Sequence, residues 1–311
     1  MTRSTSTRST EPRADVYTRV TDQIVAALES GVRPWQKPWT AASGDAFARP
    51  LRQCGTPYQG VNVILLWSQA ITKGYTSPYW MTYKQAEAHG AHVRKGEKGS
   101  LVVYANAITK TETNEAGDDV EKRIPFMKAY TVFNVEQIDG LPAKYQPTLA
   151  PARDPITLLA EAETFFAATG AIITHGGDRA YYQPQADAIR LPAPEAFVDG
   201  AAYAATKAHE LVHWTGHASR LDRTLSTRFG NDQYAVEELI AELGAAFLCA
   251  DLAISAEPRE DHASYLAHWI KVLKTDKRAI FTAASAAQKA ADFLHTTAAA
   301  GAAAGAAAVA A

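Results

Sequence analysis

The segment His209-Glu210-Leu211-Val212-His213 places two imidazoles four residues apart with a carboxylate beside the first. On an α-helix such positions are separated by about 400° of rotation, so both histidines project from one face and can grip a single cation, with Zn–N distances near 2.0–2.1 Å. Glu210 then stands beside that cation rather than facing it. A general base must sit there to take a proton from a water whose pKa the metal lowers to about 7. The chemistry implied is metal-assisted hydrolysis, and the lead-in Ala-Ala-Tyr-Ala-Ala-Thr-Lys-Ala supports a helix.

A catalytic zinc takes three protein ligands and keeps one position open. Downstream, Tyr234-Ala-Val-Glu237-Glu238-Leu-Ile-Ala-Glu242 continues into an apolar run in which positions 239, 243, 246 and 247 mark a buried face. Glu238 and Glu242 flank that stripe, whereas Glu237 is turned further toward solvent. Glu238 is taken as the third ligand and Glu242 as the carboxylate that supports a ligand histidine from behind; the alternative is that both are surface charges of an amphipathic helix. His217 is a rival. The longer zinc signature wants a histidine at 219, where Ser219 stands, and Gly216 ends the helix, so His217 is expected in a loop, behind the ligands or as an alternative ligand. Zinc suits the His, His, Glu set, and manganese or another divalent ion would also accept it. Tyr234 and His262 are candidates by residue type to stabilise an oxyanion.

The first half of the chain carries other chemistry. Arg33, Trp35, Lys37, Trp39, Tyr79 and Trp80 belong to a window of about 50 residues in which aromatic rings alternate with cations. Bases of a single strand stack on such rings at about 1–3 kcal/mol each while Lys and Arg follow the phosphates. The competing reading is that the rings build a core, and Trp67 within Val-Ile-Leu-Leu-Trp is assigned to the core. In His92-Val-Arg94-Lys95-Gly96-Glu97-Lys98-Gly99, Arg94, Lys95 and Lys98 sit on a tight turn suited either to a phosphate backbone or to plain solvation.

Periodicity supplies the elements that must hold these groups. Helices are expected over 16–28, 62–73 and 83–89, and strands over 100–105 and 127–134 on either side of an acidic loop. A further helix is expected over 156–169, then a hairpin at 180–192 that either offers an edge strand to an extended peptide or completes the core. Helices over 202–215, 233–253 and 261–293 follow. The fold class is α+β in two domains, the first small and mixed, the second mainly helical with a small sheet. The boundaries expected are a disordered 1–13, a first domain 14–140, a Pro-rich linker 141–154, a second domain 155–295 and an Ala/Gly-rich tail 296–311 with no face to dock.

Composition narrows the class. With 311 residues, 47% hydrophobic and 21% charged, the chain has enough apolar material for a core in each half. It shows neither a membrane-length apolar run nor a secretory leader, so no membrane partner and a cytoplasmic location are expected. Two cysteines without a CxxC exclude a disulfide framework and a cysteine zinc site. Residues 1–150 hold 18 Lys and Arg against 14 Asp and Glu, a mild excess that permits a nucleic-acid partner without requiring one.

GVRPWQKPW, YQGVNVILLW, WMTYKQAEAHGAHVRKGEKGSLVVY and YTVFNVEQIDGLP together resemble the N-terminal single-stranded-DNA-binding domain of the ArdC-type antirestriction proteins, also found at the front of TraC-type plasmid primases. HELVHWTGHASRLDR followed by YAVEELIAELGAAFLCADL resembles that family's zincin-like metallopeptidase domain. The resemblance runs over roughly residues 14–295. It implies a protein that shields incoming conjugative plasmid DNA from host restriction, with single-stranded DNA as partner and a protein target such as the restriction endonuclease. No primase domain follows, which favours the antirestriction member. Carried over residue by residue, His209 and His213 are the metal pair and Glu210 the base, with the acidic ligand left open within 237–242. Two other functions stay open: a non-catalytic strand-coating protein with a structural metal, and a general metalloprotease.

Overall fold

The structure, a computed structural model, describes residues 15–35, 48–113, 119–145, 154–223, 232–254 and 263–309. The fold is α+β in two domains. The first begins with α1 (Val16–Glu29), whose first turn is closed by Asp15 accepting from the Thr18 amide at 2.8 Å. Then come β1 (Leu51–Arg52), α2 (Val61–Lys73), β2 (Tyr79–Met81), α3 (Tyr83–Ala88), β3 (His92–Val93), β4 (Ser100–Thr113), β5 (Asp119–Asn134) and β6 (Ile138–Asp139). A four-stranded sheet has the order β1-β2-β5-β4, and β3 pairs with β6.

The second domain contains α4 (Pro155–Ala168), β7 (Ile172–His175), β8 (Tyr181–Gln183), β9 (Ala188–Leu191), α5 (Gly200–Thr215), α6 (Asp232–Asp251), α7 (Ala263–Thr275) and α8 (Ala279–Val309). Its sheet, β7-β9-β8, has β7 parallel and β8 antiparallel to β9.

Several expectations need correction. The acidic stretch between the two strands is no simple loop: the β4/β5 ladder continues to the pair Thr113 and Asp119, because an antiparallel ribbon is held by its own backbone hydrogen bonds. The linker expected at 141–154 begins inside the first domain. Tyr145 is buried there, its hydroxyl donating to the Gln53 carbonyl at 2.9 Å and its ring set edge-on to Tyr79. The single helix expected over 261–293 is two, broken at residues 276–278, where the Asp276 side chain accepts from the Arg278 amide. The tail docks: α8 runs through it to Val309, Ala298 is buried, and a Cβ on Gly301 would stand 2.1 Å from the Ala168 carbonyl oxygen at the end of α4. Only a residue without a side chain permits that approach. Residues 1–13, Lys37, Trp39, His262 and the Pro-rich centre of the linker lie outside the described residues.

The core does not stop at the domain boundary. One continuous apolar cluster runs from Val20, Ile24 and Trp35 through Val63, Ile64 and Trp67 to Leu239, Phe247 and Trp269. Polar ties cross with it. Arg49, buried, makes a two-pronged ion pair with Asp251 at 2.9 and 2.8 Å, donates to Gln288 at 2.7 Å and lies 4.5 Å above the Phe247 ring. Thr21 donates to the Lys277 carbonyl at 2.7 Å. No helix among the described residues is long and apolar enough to cross a membrane.

Candidate metal centre

Helix α5 (Gly200–Thr215) is capped by Asp199, whose carboxylate accepts from the Ala202 amide at 2.7 Å, and His209 and His213 sit one turn apart on it as their spacing requires. Helix α6 crosses α5 closely enough that a Cβ on Gly244 would meet both γ carbons of Val212, at 2.8 and 2.9 Å. That approach carries Glu238 to the histidine face.

The two imidazole Nε2 atoms lie 3.2 Å apart. Glu238 Oε2 is 3.5 Å from His209 Nε2, and Glu238 Oε1 is 3.6 Å from His213 Nε2. Among the described residues these three form the one group of His, Cys, Asp and Glu donors able to hold a metal ion, with ligand atoms within 4.8 Å of one another. Donors arranged tetrahedrally at 2.0–2.1 Å from one ion stand about 3.3 Å from each other, so the donor set and its spacing fit zinc or a similar divalent ion.

Behind the donors stand more carboxylates. Glu237 Oε1 is 3.2 Å from His213 Nδ1, and Arg223 donates to both Glu237 oxygens at 3.1 and 2.9 Å. Arg223 is fixed in turn by the Thr215 hydroxyl and the Val212 carbonyl at the end of α5. Glu242 Oε2 is 3.8 Å from His209 Nδ1, and its Oε1 accepts from the Trp35 indole at 3.3 Å. With Glu210, four buried carboxyl groups surround two imidazoles. Such burial costs free energy unless cations compensate. Arg223 serves Glu237, and a divalent cation would balance the rest.

The electrostatics follow. Burial pushes the His213 pKa down, but the hydrogen bond to Glu237 and the charges of Glu238, Glu237 and Glu210 outweigh it and raise it to about 9. Burial pushes Glu238 up, and the two histidines overcome it, bringing its pKa down to about 2. Burial, the Tyr265 hydroxyl at 3.3 Å and nearby Glu238 push the Tyr234 phenol pKa up, so Tyr234 stays a donor beside the site.

The remaining sequence candidates fall elsewhere. His217 lies in the turn after α5, its Nδ1 accepting from the Ser219 amide at 3.2 Å, and it is not among the clustered donors. Trp35 and Trp80 are 3% and 1% exposed, so neither offers a ring face to a base: Trp35 packs edge-on to Trp269, Trp80 edge-on to Tyr75. Tyr79 is half-buried against Tyr145, and Arg33 is half-buried. Arg94, Lys95 and Lys98 are exposed, with Arg94 paired to Glu97 and Asp139. Sequence reasoning missed Glu237, which it turned toward solvent, and Arg223. The Leu-Asp-Arg that closes the histidine motif was the available signal for Arg223. Nothing local marked Trp35 as a neighbour of Glu242.

A helix pair presenting two histidines and a glutamate behind a small mixed sheet defines a zincin-like centre, and residues 160–286 match the family model described as a zincin-like metallopeptidase. Residues 14–133 match the N-terminal domain of anti-restriction factor ArdC. The crystal structure of the antirestriction ArdC protein from the R388 plasmid is 48% identical in its metal-free form, with a TM-score of 0.77, covering 92% of this chain and 98% of that one. Its Mn(II)-bound form is 47% identical, with a TM-score of 0.73 and the same coverage. The uncharacterized protein y4eC of Sinorhizobium fredii (strain NBRC 101917 / NGR234) is 42% identical over 296 residues, 94% of this chain and 95% of its own. A DNA primase TraC of Escherichia coli is 40% identical over 299 residues, 91% of this chain but 27% of the primase. The chain belongs to the ArdC antirestriction family.

Proposed function

We propose that the chain protects incoming conjugative plasmid DNA from restriction. Its first domain binds single-stranded DNA. In its second, His209, His213 and Glu238 hold zinc or manganese for hydrolysis of a peptide bond in a protein target, the restriction endonuclease being the first to try. The observation that carries this reading is the 3.2 Å approach of the two imidazole Nε2 atoms opposite Glu238, with Glu210 buried alongside.

A divalent ion bound there supplies Lewis acidity and a water that ionises near neutral pH. The chain's own contribution is placement and proton transfer. Glu210 is committed to no ion pair or hydrogen bond among the described residues, so its carboxylate is available to accept a proton and return it to the departing amine. Glu237 and Arg223 hold the His213 ring in one orientation. Tyr234, a phenol that remains protonated and interacts with Glu238, is the candidate donor for a developing oxyanion.

The nucleic-acid reading draws on the N-terminal family and on the exposed cations Lys95 and Lys98 at the turn leading into β4. Among the described residues the exposed rings of this half are Tyr83 at the start of α3, 49% exposed, and Tyr104 and Tyr130 on β4 and β5, 49% and 37% exposed, where Lys128 also stands 5.3 Å from the Phe126 centroid. They replace Trp35 and Trp80 as stacking candidates.

The test is Glu210→Gln. Metal content should be retained while peptide hydrolysis falls about 10²–10⁴-fold and protection of a plasmid entering a restricting host is lost. A variant that keeps its metal and protects fully would remove hydrolysis from the mechanism and leave strand coating as the function.

A further inference from the structure

We propose that Trp35, which comes from the first domain, is a positioning residue for the metal centre of the second, acting through Glu242 on His209. The inference rests on the metal reading above and adds to it a part from the other half of the chain.

The side chains form a line. The Trp35 indole donates to Glu242 Oε1 at 3.3 Å across 207 residues of sequence, and the other oxygen of the same carboxylate is 3.8 Å from His209 Nδ1. The indole is 3% exposed and cannot swing out to solvent. Its ring is wedged edge-on against Trp269 at 5.9 Å, and Trp269 is pinned by its own N–H to the Ala235 carbonyl at 3.0 Å and stacked on Tyr265. Trp35 is therefore anchored to α6 and α7 by packing, and its one polar side-chain atom is directed at Glu242.

The chemistry gives that hydrogen bond a purpose. A histidine that ligates through Nε2 carries its proton on Nδ1, and a carboxylate facing Nδ1 fixes the tautomer and the plane of the ring. A glutamate side chain has several rotamers, so the carboxylate serves only if one is selected. For His213 the carboxylate is Glu237, and Arg223 selects its position with two hydrogen bonds. For His209 it is Glu242, and the Trp35 indole holds it. Each ligand histidine thus turns Nδ1 toward a carboxylate, His213 at the hydrogen-bond distance of 3.2 Å and His209 at an ion-pair distance of 3.8 Å, the first support completed within the second domain and the other only when the first domain is folded against it. The segment Gly31-Val-Arg-Pro-Trp35, which composition assigns to nucleic acid, reaches the back of the metal site instead.

The experiment uses the full chain, titrated with zinc and separately with manganese(II) in competition with a chromophoric chelator, in wild type, Trp35→Phe, Glu242→Ala and the double variant. Phenylalanine keeps an apolar ring and removes the N–H. Trp35→Phe is expected to weaken metal binding about tenfold, the lower end for removal of a group behind a ligand. In the double variant the effect should be no greater than in Glu242→Ala alone, because Trp35 acts only through that carboxylate. A merely structural tryptophan would instead lower thermal stability and leave affinity unchanged, or give effects that multiply with those of Glu242→Ala; either result overturns the proposal. Should Trp35→Phe fail to fold, Glu242→Gln carries the test. It keeps an acceptor for the indole but removes the charge facing His209, so about tenfold weaker binding is expected, and wild-type affinity would overturn the proposal. Wild-type protein that binds neither metal would refute the metal reading itself, a separate outcome from a Trp35 variant that matches wild type.

Discussion

Replacing Gly244 with alanine tests the link between helix packing and the metal donors. The new methyl would stand 2.8 and 2.9 Å from the two γ carbons of Val212, about 0.6 Å short of the 3.4 Å at which ordinary contact begins. Val212 cannot turn away, because a β-branched side chain in a helix has one strongly preferred rotamer and both of its branches already face the glycine. The helices must therefore separate by about half an ångström. Overpacking of this kind costs about 1–3 kcal/mol, and alanine returns about 1 kcal/mol of helix propensity, leaving a net destabilisation of about 0–2 kcal/mol. Metal binding should suffer more than stability does. The two histidines ride on α5 and Glu238 on α6, and a separation of half an ångström exceeds the ±0.2 Å tolerance of ligand distances. Zinc affinity, read by chelator competition, should fall at least tenfold while the far-ultraviolet circular dichroism stays native, and Val212→Ala in the same chain should restore much of it. Wild-type affinity in Gly244→Ala would show that the α5/α6 spacing does not set the site.

The remaining predictions address the outer parts of the molecule. Arg220 donates to both oxygens of Asp187, at 2.9 Å on one side, and holds that carboxyl below its ordinary pKa of 3.8. A depressed acid contributes stability above its unfolded pKa and loses it as pH falls through the folded value. The difference in thermal midpoint between wild type and Asp187→Asn should therefore be constant near neutrality and close below about pH 4; a gap that widens on acidification would contradict the pair. On the first domain, Lys95→Ala with Lys98→Ala should reduce the salt slope of single-strand binding by about 0.7 for each phosphate left without its cation. Tyr104→Ala should weaken binding by about 1–3 kcal/mol with the slope unchanged, as fluorescence anisotropy at several salt concentrations would register.

The parts of the site that sequence made legible are those that depend on a single helix. His209 and His213 are neighbours by helical geometry alone, and Glu238 follows from the edge of one apolar stripe. Glu237 was turned outward because a stripe argument assumes one buried face. Helix α6 instead lies among its neighbours, with Glu238 and Glu242 buried one turn apart on the same face and Glu237 buried about 100° round from Glu238. Trp35 and Trp80 failed for another reason: ring content and nearby cations are the same whether a tryptophan faces a base or fills a core, and only tertiary packing separates the two. The ribbon beyond Ala105 was missed because alternation signals a strand only where one face is apolar, and this one projects with mixed residues. The continuation of α8 into the tail was equally hidden, since an alanine run has no amphipathic face and its docking depends on a glycine meeting a backbone carbonyl.

The shared core also bears on heredity. A recombination event that joined foreign sequence near residue 145 would separate Arg49 from Asp251 and Trp35 from Glu242, and would open the apolar seam between α1, α2 and the helices of the second domain. Each fragment would carry an unfinished interior, so selection would discard the crossover. What reads as two modules is therefore one unit of inheritance, and the primase relative, which aligns across both halves and not one, has the form that such a constraint requires.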